Sequence, residues 1–331
     1  MRAVVVEAPG GRAGVQSVSD PSPGSGEVIV AVRGCGICGT DKHILEEGLP
    51  SVSYPLIPGH EPWGDVVAVG REALGVKLGD VVAVDPSLHC GVCRRCRRGQ
   101  GNLCEHWGAI GGTKAGAWAD YVALPAANAH LLPDFPLDCA SIIEPVACAL
   151  RGIHQLAPDP GQSALVVGGG TMGLILAILL ELGGVEPITL VESHPERRAL
   201  GQRLAKIEAR GWEGLGESEW DLVVDATGSS GAIQDALERV APGGKFMVFG
   251  VASPAARVEF SPFRLYQREI TIVASMAILR TFSSAIDVLG RHPRRFLPLL
   301  THSFELEEFD LAVAALGDGD TVKVTMAPKP R

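Results

Sequence analysis

Four cysteines lie close together in one stretch of the chain, with the spacing Cys90-x2-Cys93-x2-Cys96-x7-Cys104. Four thiolates at such short spacing can complete a tetrahedral shell around zinc with no open position, which is a structural rather than a catalytic arrangement. Arginines between these cysteines would offset the negative charge of a four-thiolate zinc. They are Arg94, Arg95, Arg97 and Arg98. The spacing predicts a structural zinc site in preference to a nucleic-acid-binding finger or a pair of disulfides.

Three separate fragments carry possible ligands for a second zinc ion: Cys38 in GICGTDKH, His60-Glu61 in PGHEPWG and Glu144 in IEPVACA. One Cys, one His and one Glu would leave a fourth position open for water or substrate, as a catalytic zinc requires. Each fragment also has an ordinary interpretation, as a core cysteine, a turn histidine or a capping acid. Their spacing alone does not show that they converge. Asp41 is expected to orient a ligand.

A glycine-rich segment, GGGTMG, follows a short apolar stretch and precedes an apolar helical one, as in dinucleotide-binding folds. We expect Gly168 to permit the tight turn, Gly170 to let the backbone approach the phosphates and Gly173 to let the helix pack closely. Thr171 and Met172, between these glycines, belong to the same predicted cofactor site.

Glu192 ends the next predicted strand, where a carboxylate can accept hydrogen bonds from the ribose hydroxyls and repel a 2′-phosphate. The predicted cofactor is therefore NAD. Arg197, beside Arg198, is included in the cofactor site because an arginine there can contact a phosphate. Thr227 and Gly250, which follow later strands, complete the predicted set.

Together, these motifs resemble the zinc-containing medium-chain alcohol dehydrogenase family, and most closely its polyol (sorbitol) and threonine dehydrogenase branch. GICGTDKH, PGHE, the four cysteines, IEP and VVGGGTMG occur in the family's order over essentially the whole chain. The resemblance implies that Cys38 and His60 bind a catalytic zinc and that Glu61 binds it directly or through water. It also implies that Glu144 is a ligand, as in the polyol branch. The expected fold is α/β, with a GroES-like β-rich catalytic domain and a Rossmann domain, assembled as a homodimer or homotetramer.

The implied reaction transfers hydride between NAD and a secondary alcohol, polyol or cyclitol and its ketone, with zinc as a Lewis acid. Thr40 and His43 match the family's proton-relay positions, from the substrate oxygen to solvent. Cys35 matches a family position that is not a ligand. Two alternatives stay open: a zinc-retaining reductase of imines or activated double bonds, and a non-enzymatic nucleotide-binding structural protein. The first would have less need of the relay, and the second would have no need of metal ligands.

The elements that must position these residues change character near residue 150. Before it, short valine-rich strands alternate with Gly- and Pro-rich turns; after it, strands and helices alternate, which predicts a doubly wound parallel sheet. We expect residues 1–150, completed by about 291–331, to form the catalytic domain and residues 151–290 the Rossmann domain. The predicted strands are Val28–Val32, Val66–Val69, Val81–Val84, Tyr121–Leu124, Ser163–Val167, Ile188–Glu192, Lys206–Arg210, Asp221–Ala226, Lys245–Gly250, Ile270–Ala274 and Thr321–Met326. The predicted helices are Leu174–Leu182, Pro195–Ala205, Ala232–Val240 and Thr281–Gly290.

Two features depart from the family pattern. The segment GWEGLGESEW leaves room only for a short turn or 3₁₀ piece where a crossover helix is usual. Trp63 follows the His60-Glu61 pair closely and either lines the substrate pocket or packs beneath the turn. The substrate is therefore left unnamed.

Composition restricts the remaining classes of protein. The chain has 331 residues, 46% of them hydrophobic, which is enough for two domains with large cores. A net charge of −9 argues against a nucleic-acid partner. No signal peptide or membrane-spanning apolar run is expected, and eight cysteines are read as ligands or free thiols. We therefore expect a cytoplasmic protein that acts on a small molecule.

Overall fold

The computed structural model of the chain describes residues 1–48, 52–204 and 206–329, which form two units. The first contains Met1–Ala147 and Ile278–Arg331, and the second contains Cys148–Ala277. The chain thus returns to the first unit at residue 278, before the helix that was expected to close the Rossmann domain.

Strands and helices are numbered along the chain. The strands are β1 (Arg2–Val6), β2 (Ala13–Ser17), β3 (Glu27–Ile37), β4 (Glu61–Val69), β5 (Val81–Val84), β6 (Ser87–Leu88), β7 (Gly108–Ala109), β8 (Tyr121–Pro125), β9 (Ala129–Leu131), β10 (Ala164–Val167), β11 (Ile188–Val191), β12 (Ile207–Arg210), β13 (Trp220–Asp225), β14 (Val240–Val248), β15 (Thr271–Ala274), β16 (Leu300–Glu305) and β17 (Lys323–Ala327). The helices are α1 (Gly39–Glu46), α2 (Arg94–Arg97), α3 (Ile143–Leu156), α4 (Thr171–Leu182), α5 (Pro195–Arg203), α6 (Ser230–Leu237), α7 (Pro262–Arg268), α8 (Phe282–Arg291), α9 (Pro293–Phe296) and α10 (Phe309–Ala315).

The first unit is built on a seven-stranded sheet in the order β16-β17-β3-β4-β5-β9, with β8 also paired to β3. Strand β3 runs well past the predicted Val28–Val32, because Gly34 and Gly36 continue it opposite Trp63 and Glu61 of β4. Valines along β3, β4 and β5 pack with residues of the C-terminal segment, including Phe309, into one hydrophobic core. In this sheet, β4 begins at Glu61, the last residue of the PGHE segment, and β3 ends at Ile37, directly before Cys38.

The second unit is a six-stranded sheet in the order β12-β11-β10-β13-β14-β15, in which every strand pair is parallel. Strands β10 and β11 are buried at every position, as expected for parallel strands covered by helices on both faces. Strands β11 and β12 extend the sheet on one side of β10, and β13 to β15 extend it on the other, so the order reverses at β10. Ligands bind outside the carboxyl ends of strands at such a switch point. The predicted doubly wound sheet is therefore present.

Several element boundaries differ from those predicted. Helix α6 ends at Leu237, and Val240 begins β14 rather than ending the helix. Helix α4 begins at Thr171, inside the glycine motif, rather than at the predicted Leu174. The short 3₁₀ turn that was predicted in place of a crossover helix is present at Trp212–Gly214. Ala205, the predicted end of α5, lies outside the described residues. None of the described helices has the length and apolar character that crossing a bilayer requires.

Candidate active site and metal centres

The four predicted cysteines converge within one exposed loop of the first unit. Their Sγ atoms all lie within 4.8 Å of one another. The Cys90–Cys96, Cys93–Cys104 and Cys90–Cys104 separations are 4.0, 3.9 and 3.5 Å. Tetrahedral zinc with Zn–S bonds of about 2.3 Å needs sulfur atoms roughly 3.8 Å apart, so the cage fits zinc. The shortest of these Sγ separations, 3.5 Å, is much longer than an S–S bond of about 2.05 Å, so no two of the four cysteines are joined as a disulfide in this structure.

Backbone N–H groups are aimed at these sulfur atoms. The amides of Cys93, Cys96 and His106 donate to the Sγ atoms of Cys90, Cys93 and Cys104 at 3.3–3.4 Å. The N–H groups of Cys96 and Glu105 lower the pKa of Cys93 to about 6. Thiolates are the metal-binding form of cysteine, so these N–H groups favour the ligand state of Cys93, whereas burial and the neighbouring cysteines raise the pKa of Cys96 to about 12.

The second predicted site begins with Cys38, the N-cap of α1, and His60, the residue before β4. Cys38 Sγ lies 3.0 Å from His60 Nε2, and His60 Nδ1 lies 3.3 Å from Asp41 Oδ1. Asp41 is fully buried and also accepts the Cys38 N–H at 2.9 Å. Burial acts to lower the pKa of His60, but Cys38 and Asp41 raise it well above 6.5. One carboxylate thus orients both residues, as expected of an outer partner of metal ligands.

Both predicted glutamates reach the same place. Ligand atoms of His60, Glu61 and Glu144 lie within 4.8 Å of one another. Glu61 and Lys323 are both buried and form an ion pair, and Lys323 Nζ also donates to the Ile37 carbonyl at 2.9 Å. The metal-binding groups therefore meet as a Cys, a His and two carboxylates, one of them neutralised by a buried lysine. This donor set fits zinc.

Thr40 and His43 lie three residues apart on α1, so their side chains share one face of the helix. The Thr40 N–H donates to Cys38 Sγ at 3.3 Å, which places Thr40 directly beside the ligand group. His43 is about one third exposed, and its Nδ1 lies 3.5 Å from Glu47 Oε2. The two predicted relay residues thus extend from the ligand group towards solvent.

In the second unit, the glycine motif forms the turn between β10 and α4. Gly168 has a φ of +103°, and a Cβ at Gly173 would lie 1.7 Å from the Gly168 carbonyl oxygen. A Cβ at Gly170, the N-cap of α4, would meet nothing within 4 Å. The turn is therefore closed against the strand and open on the side where the first α4 amides, those of Thr171 and Met172, can meet a pyrophosphate.

Glu192 is buried at the end of β11 and accepts the N–H groups of Gly169 and His194, each at 2.7 Å. Burial acts to raise the pKa of Glu192, but hydrogen bonds from His194 and Gly169, with Arg197 nearby, lower it. Arg198 donates to the Glu192 and Ser193 carbonyls at 2.9 and 2.8 Å. Arg198 is thus engaged with the backbone, and the Glu192 carboxylate is held in place directly after β11, beside the glycine turn.

Two residues that the sequence analysis missed organise these sites. Asp225 is the buried last residue of β13, and its carboxylate accepts the Thr227 N–H and hydroxyl at 3.0 and 2.6 Å. The Gly250 N–H donates to the Asp225 carbonyl, so Thr227 and Gly250 lie against the same residue. Lys323 is the other, and a lysine within the apolar strand TVKVTM was the available signal.

Two zinc-type donor sets and a dinucleotide turn define the class as a zinc-dependent, NAD-linked dehydrogenase. Residues 24–134 match the model of the alcohol dehydrogenase GroES-like domain, and residues 138–327 match that of the glucose dehydrogenase C-terminus. The chain belongs to the zinc-dependent medium-chain alcohol dehydrogenase family, in its polyol and threonine dehydrogenase branch. The predicted family and fold class are thereby confirmed.

Individual relatives agree. The chain is 34% identical to D-arabinitol dehydrogenase 1 of Uromyces fabae over 91% of this chain and 90% of that protein. It is 33% identical to D-altritol 5-dehydrogenase of Agrobacterium fabrum over 93% and 90%. The structure superposes on a zinc-binding dehydrogenase of Sinorhizobium meliloti bound to NADP with a TM-score of 0.92, 27% identity and 99% coverage of both chains. Similar solved chains carry NADP or NADH.

Proposed function

We propose that the chain oxidises a polyol or a related secondary alcohol to its ketone, with NAD preferred over NADP. The observation that carries this proposal is that His60 is shared by two candidate ligand groups, one with Cys38 and Asp41 and one with Glu61 and Glu144, beside the hydroxyl-bearing Thr40 on α1. The two relatives reported above act on D-arabinitol and D-altritol, which supports a polyol as the substrate class. A cyclitol or a simple secondary alcohol presents the same carbinol group.

The assignment of each residue follows from its contacts. Cys38, His60 and Glu144 would hold the catalytic zinc, because Lys323 already compensates the charge of Glu61. Glu61 would then reach the metal directly only when it leaves Lys323. The four-cysteine loop would hold the structural zinc. When bound, zinc supplies a Lewis acid and NAD supplies a hydride acceptor.

The chain's own side chains would manage the proton. The Thr40 hydroxyl would accept a hydrogen bond from the substrate alcohol, and His43 would deliver the proton to solvent because it is partly exposed. In the second unit, the Gly168–Gly173 turn and the α4 N-terminus would bind the pyrophosphate. Glu192 would accept hydrogen bonds from the ribose hydroxyls and repel a 2′-phosphate. Thr227 and Gly250 would line the nicotinamide end, and Arg197 the adenosine end.

The test is an absorbance screen for NADH formation with pentitols, hexitols, cyclitols and simple secondary alcohols, run with NAD and NADP in parallel. The ketone products are assayed in the reverse direction, and chelator-treated enzyme serves as the control. We expect activity with at least one polyol, a preference for NAD, and loss of activity on metal removal. Reduction of an imine or an activated double bond, with no alcohol oxidised, would support the alternative reductase and overturn the proposal.

We also propose a homodimer, with a homotetramer as the larger assembly the family allows. Strand β15 pairs with β14 on one side, while its other edge carries no strand within the described residues, and Ile272 there is 42% exposed. An exposed apolar edge can pair with its copy across a two-fold axis. Light scattering should show a dimer or larger species that Ile272→Lys weakens. The free thiols support a reducing, cytoplasmic location.

A further inference from the structure

Trp63 lies over strand β3 and does not hang free beside the metal ligands. It is opposite Gly34 in the β3–β4 register, and its Nε1 donates to Ser141 Oγ at 3.1 Å. A Cβ at Gly34 would lie 2.6 Å from Trp63 Nε1 and 3.0 Å from Ser141 Oγ. Because Gly34 has no side chain, the Trp63 indole and the Ser141 hydroxyl have the space to approach each other.

This hydrogen bond joins the two segments that carry metal-binding groups. Trp63 follows Glu61 by two residues on β4, and the side chains of these two residues share one face of the strand. Ser141 is 7% exposed and lies three residues before Glu144, in the 3₁₀ turn Leu137–Ile142. This turn leads directly into α3. The bond thus links strand β4, which begins at Glu61, to the 3₁₀ turn that precedes α3.

A cation covers the outer face of the indole. Arg33 Cζ lies 4.8 Å from the centre of the Trp63 ring, and Arg33 also pairs with Asp65 at 3.6 Å. A guanidinium over an indole is attracted by the ring and here restricts its rotation. The N–H of Trp63 is consequently held towards Ser141 by contacts on both sides.

We propose that Trp63 is a positioning residue: its hydrogen bond to Ser141 fixes the spacing between the His60-Glu61 pair and Glu144, and so strengthens metal binding by Cys38, His60 and Glu144. This inference rests on the proposed function, because it takes those residues as the ligands of the catalytic zinc. The competing interpretation is that Trp63 forms a wall of the substrate pocket.

The experiment uses the zinc-loaded enzyme and three variants, Trp63→Phe, Ser141→Ala and the double variant. Metal retention is measured by elemental analysis after dialysis against a graded chelator, and Co²⁺ substitution reports ligand geometry through its visible spectrum. Each single variant loses one hydrogen bond. The metal held by Cys38, His60 and Glu144 should therefore bind about threefold to tenfold less tightly. The double variant should lose less than the product of the two single effects, because no buried donor or acceptor is left unpaired.

Two controls separate the possible outcomes. The metal of the four-cysteine loop should be retained in every variant. Trp107→Phe should leave both metals unchanged, because the Trp107 Nε1 has no acceptor among the described residues. Normal metal retention and an unchanged Co²⁺ spectrum in Trp63→Phe, with a changed KM for alcohols, would overturn the inference in favour of a pocket wall. A wild-type enzyme that holds only one metal would instead contradict the proposed catalytic site.

Discussion

Gly36 lies directly opposite Glu61 in the β3–β4 register, and a Cβ at position 36 would lie 1.7 Å from Glu61 Oε2. It would also lie 2.7 Å from Lys323 Cε. The glycine is therefore required by the buried ion pair between Glu61 and Lys323 and not by its own backbone conformation. A side chain here cannot coexist with that pair in its present place.

Replacing Gly36 with alanine should displace the Glu61–Lys323 pair and disturb the metal ligands beside it. We expect a loss of about tenfold to hundredfold in kcat/KM, as for other changes to the partners of metal ligands. Steady-state kinetics and zinc analysis provide the measurement. Gly14→Ala in β2 is the matched control, since a Cβ there would meet nothing within 4 Å. Wild-type kinetics in Gly36→Ala would contradict this account.

Replacing Lys323 with methionine should leave the Glu61 carboxylate buried without its partner. Removing one member of a buried pair typically costs about 3–5 kcal/mol, so the free energy of unfolding should fall by that order. Chemical denaturation measures it. Lys206→Met is the control, because Lys206 and Glu186 form an exposed pair whose loss should cost at most about 1 kcal/mol. Equal losses in the two variants would be inconsistent with the buried pair.

The same ion pair predicts a pH dependence. Burial acts to lower the pKa of Lys323, but Glu61 raises it above the ordinary 10.5. A pKa that is raised on folding contributes stability that is complete below the unfolded value and is lost as pH rises through the folded one. The stability difference between wild type and Lys323→Met should therefore persist through neutral pH and shrink only above about pH 10.5.

Replacing Glu192 with glutamine should relax the choice of nucleotide. The neutral amide keeps the shape of the side chain but lacks its negative charge. In the wild type, that charge repels a 2′-phosphate and also strengthens the hydrogen bond from the Gly169 N–H. The ratio of NADPH to NADH dissociation constants should fall by about tenfold, or roughly 1.4 kcal/mol. Fluorescence titration measures both constants, with the exposed Glu196→Gln as control. Tighter binding of NADPH than NADH by the wild type would refute the NAD preference.

Replacing Thr40 with valine should remove the hydroxyl proposed to handle the substrate proton while preserving side-chain volume. We expect alcohol oxidation to fall by about 10²–10⁴-fold, the usual range for a lost proton-transfer group. Zinc content and NADH affinity should stay as in the wild type, and both are measured on the same samples. Undiminished turnover would exclude Thr40 from the reaction.

The sequence predicted the cysteine cage and the dinucleotide turn because their residues are neighbours along the chain. Spacing alone is then informative: Cys90 to Cys104 form one loop, and Gly168 to Gly173 form one turn. Spacing alone could not show that Cys38 and Glu144 each lie close to His60, because their approach depends on how β3, β4 and α3 pack. That prediction came from resemblance to a family.

Partners of the functional residues were the hardest to predict. Lys323 was one residue of the predicted strand Thr321–Met326, and Gly36 lay beyond the end of the predicted strand Val28–Val32. Both acquire meaning only from the β17–β3–β4 register, which brings Lys323 to Ile37 and sets Gly36 opposite Glu61. A role that is created by pairing between distant strands leaves no local mark in a single sequence.

Lys323 and the Ile37 carbonyl it contacts are separated by 286 residues, with the whole nucleotide-binding unit between them. This distance has a consequence for biosynthesis. The ribosome releases Cys38, His60 and Glu61 early, yet the lysine that neutralises Glu61 is translated near the end. The buried pair can therefore form only once β17 has joined β3, so the charge of the ligand cluster is balanced only after the nucleotide-binding unit has been synthesised.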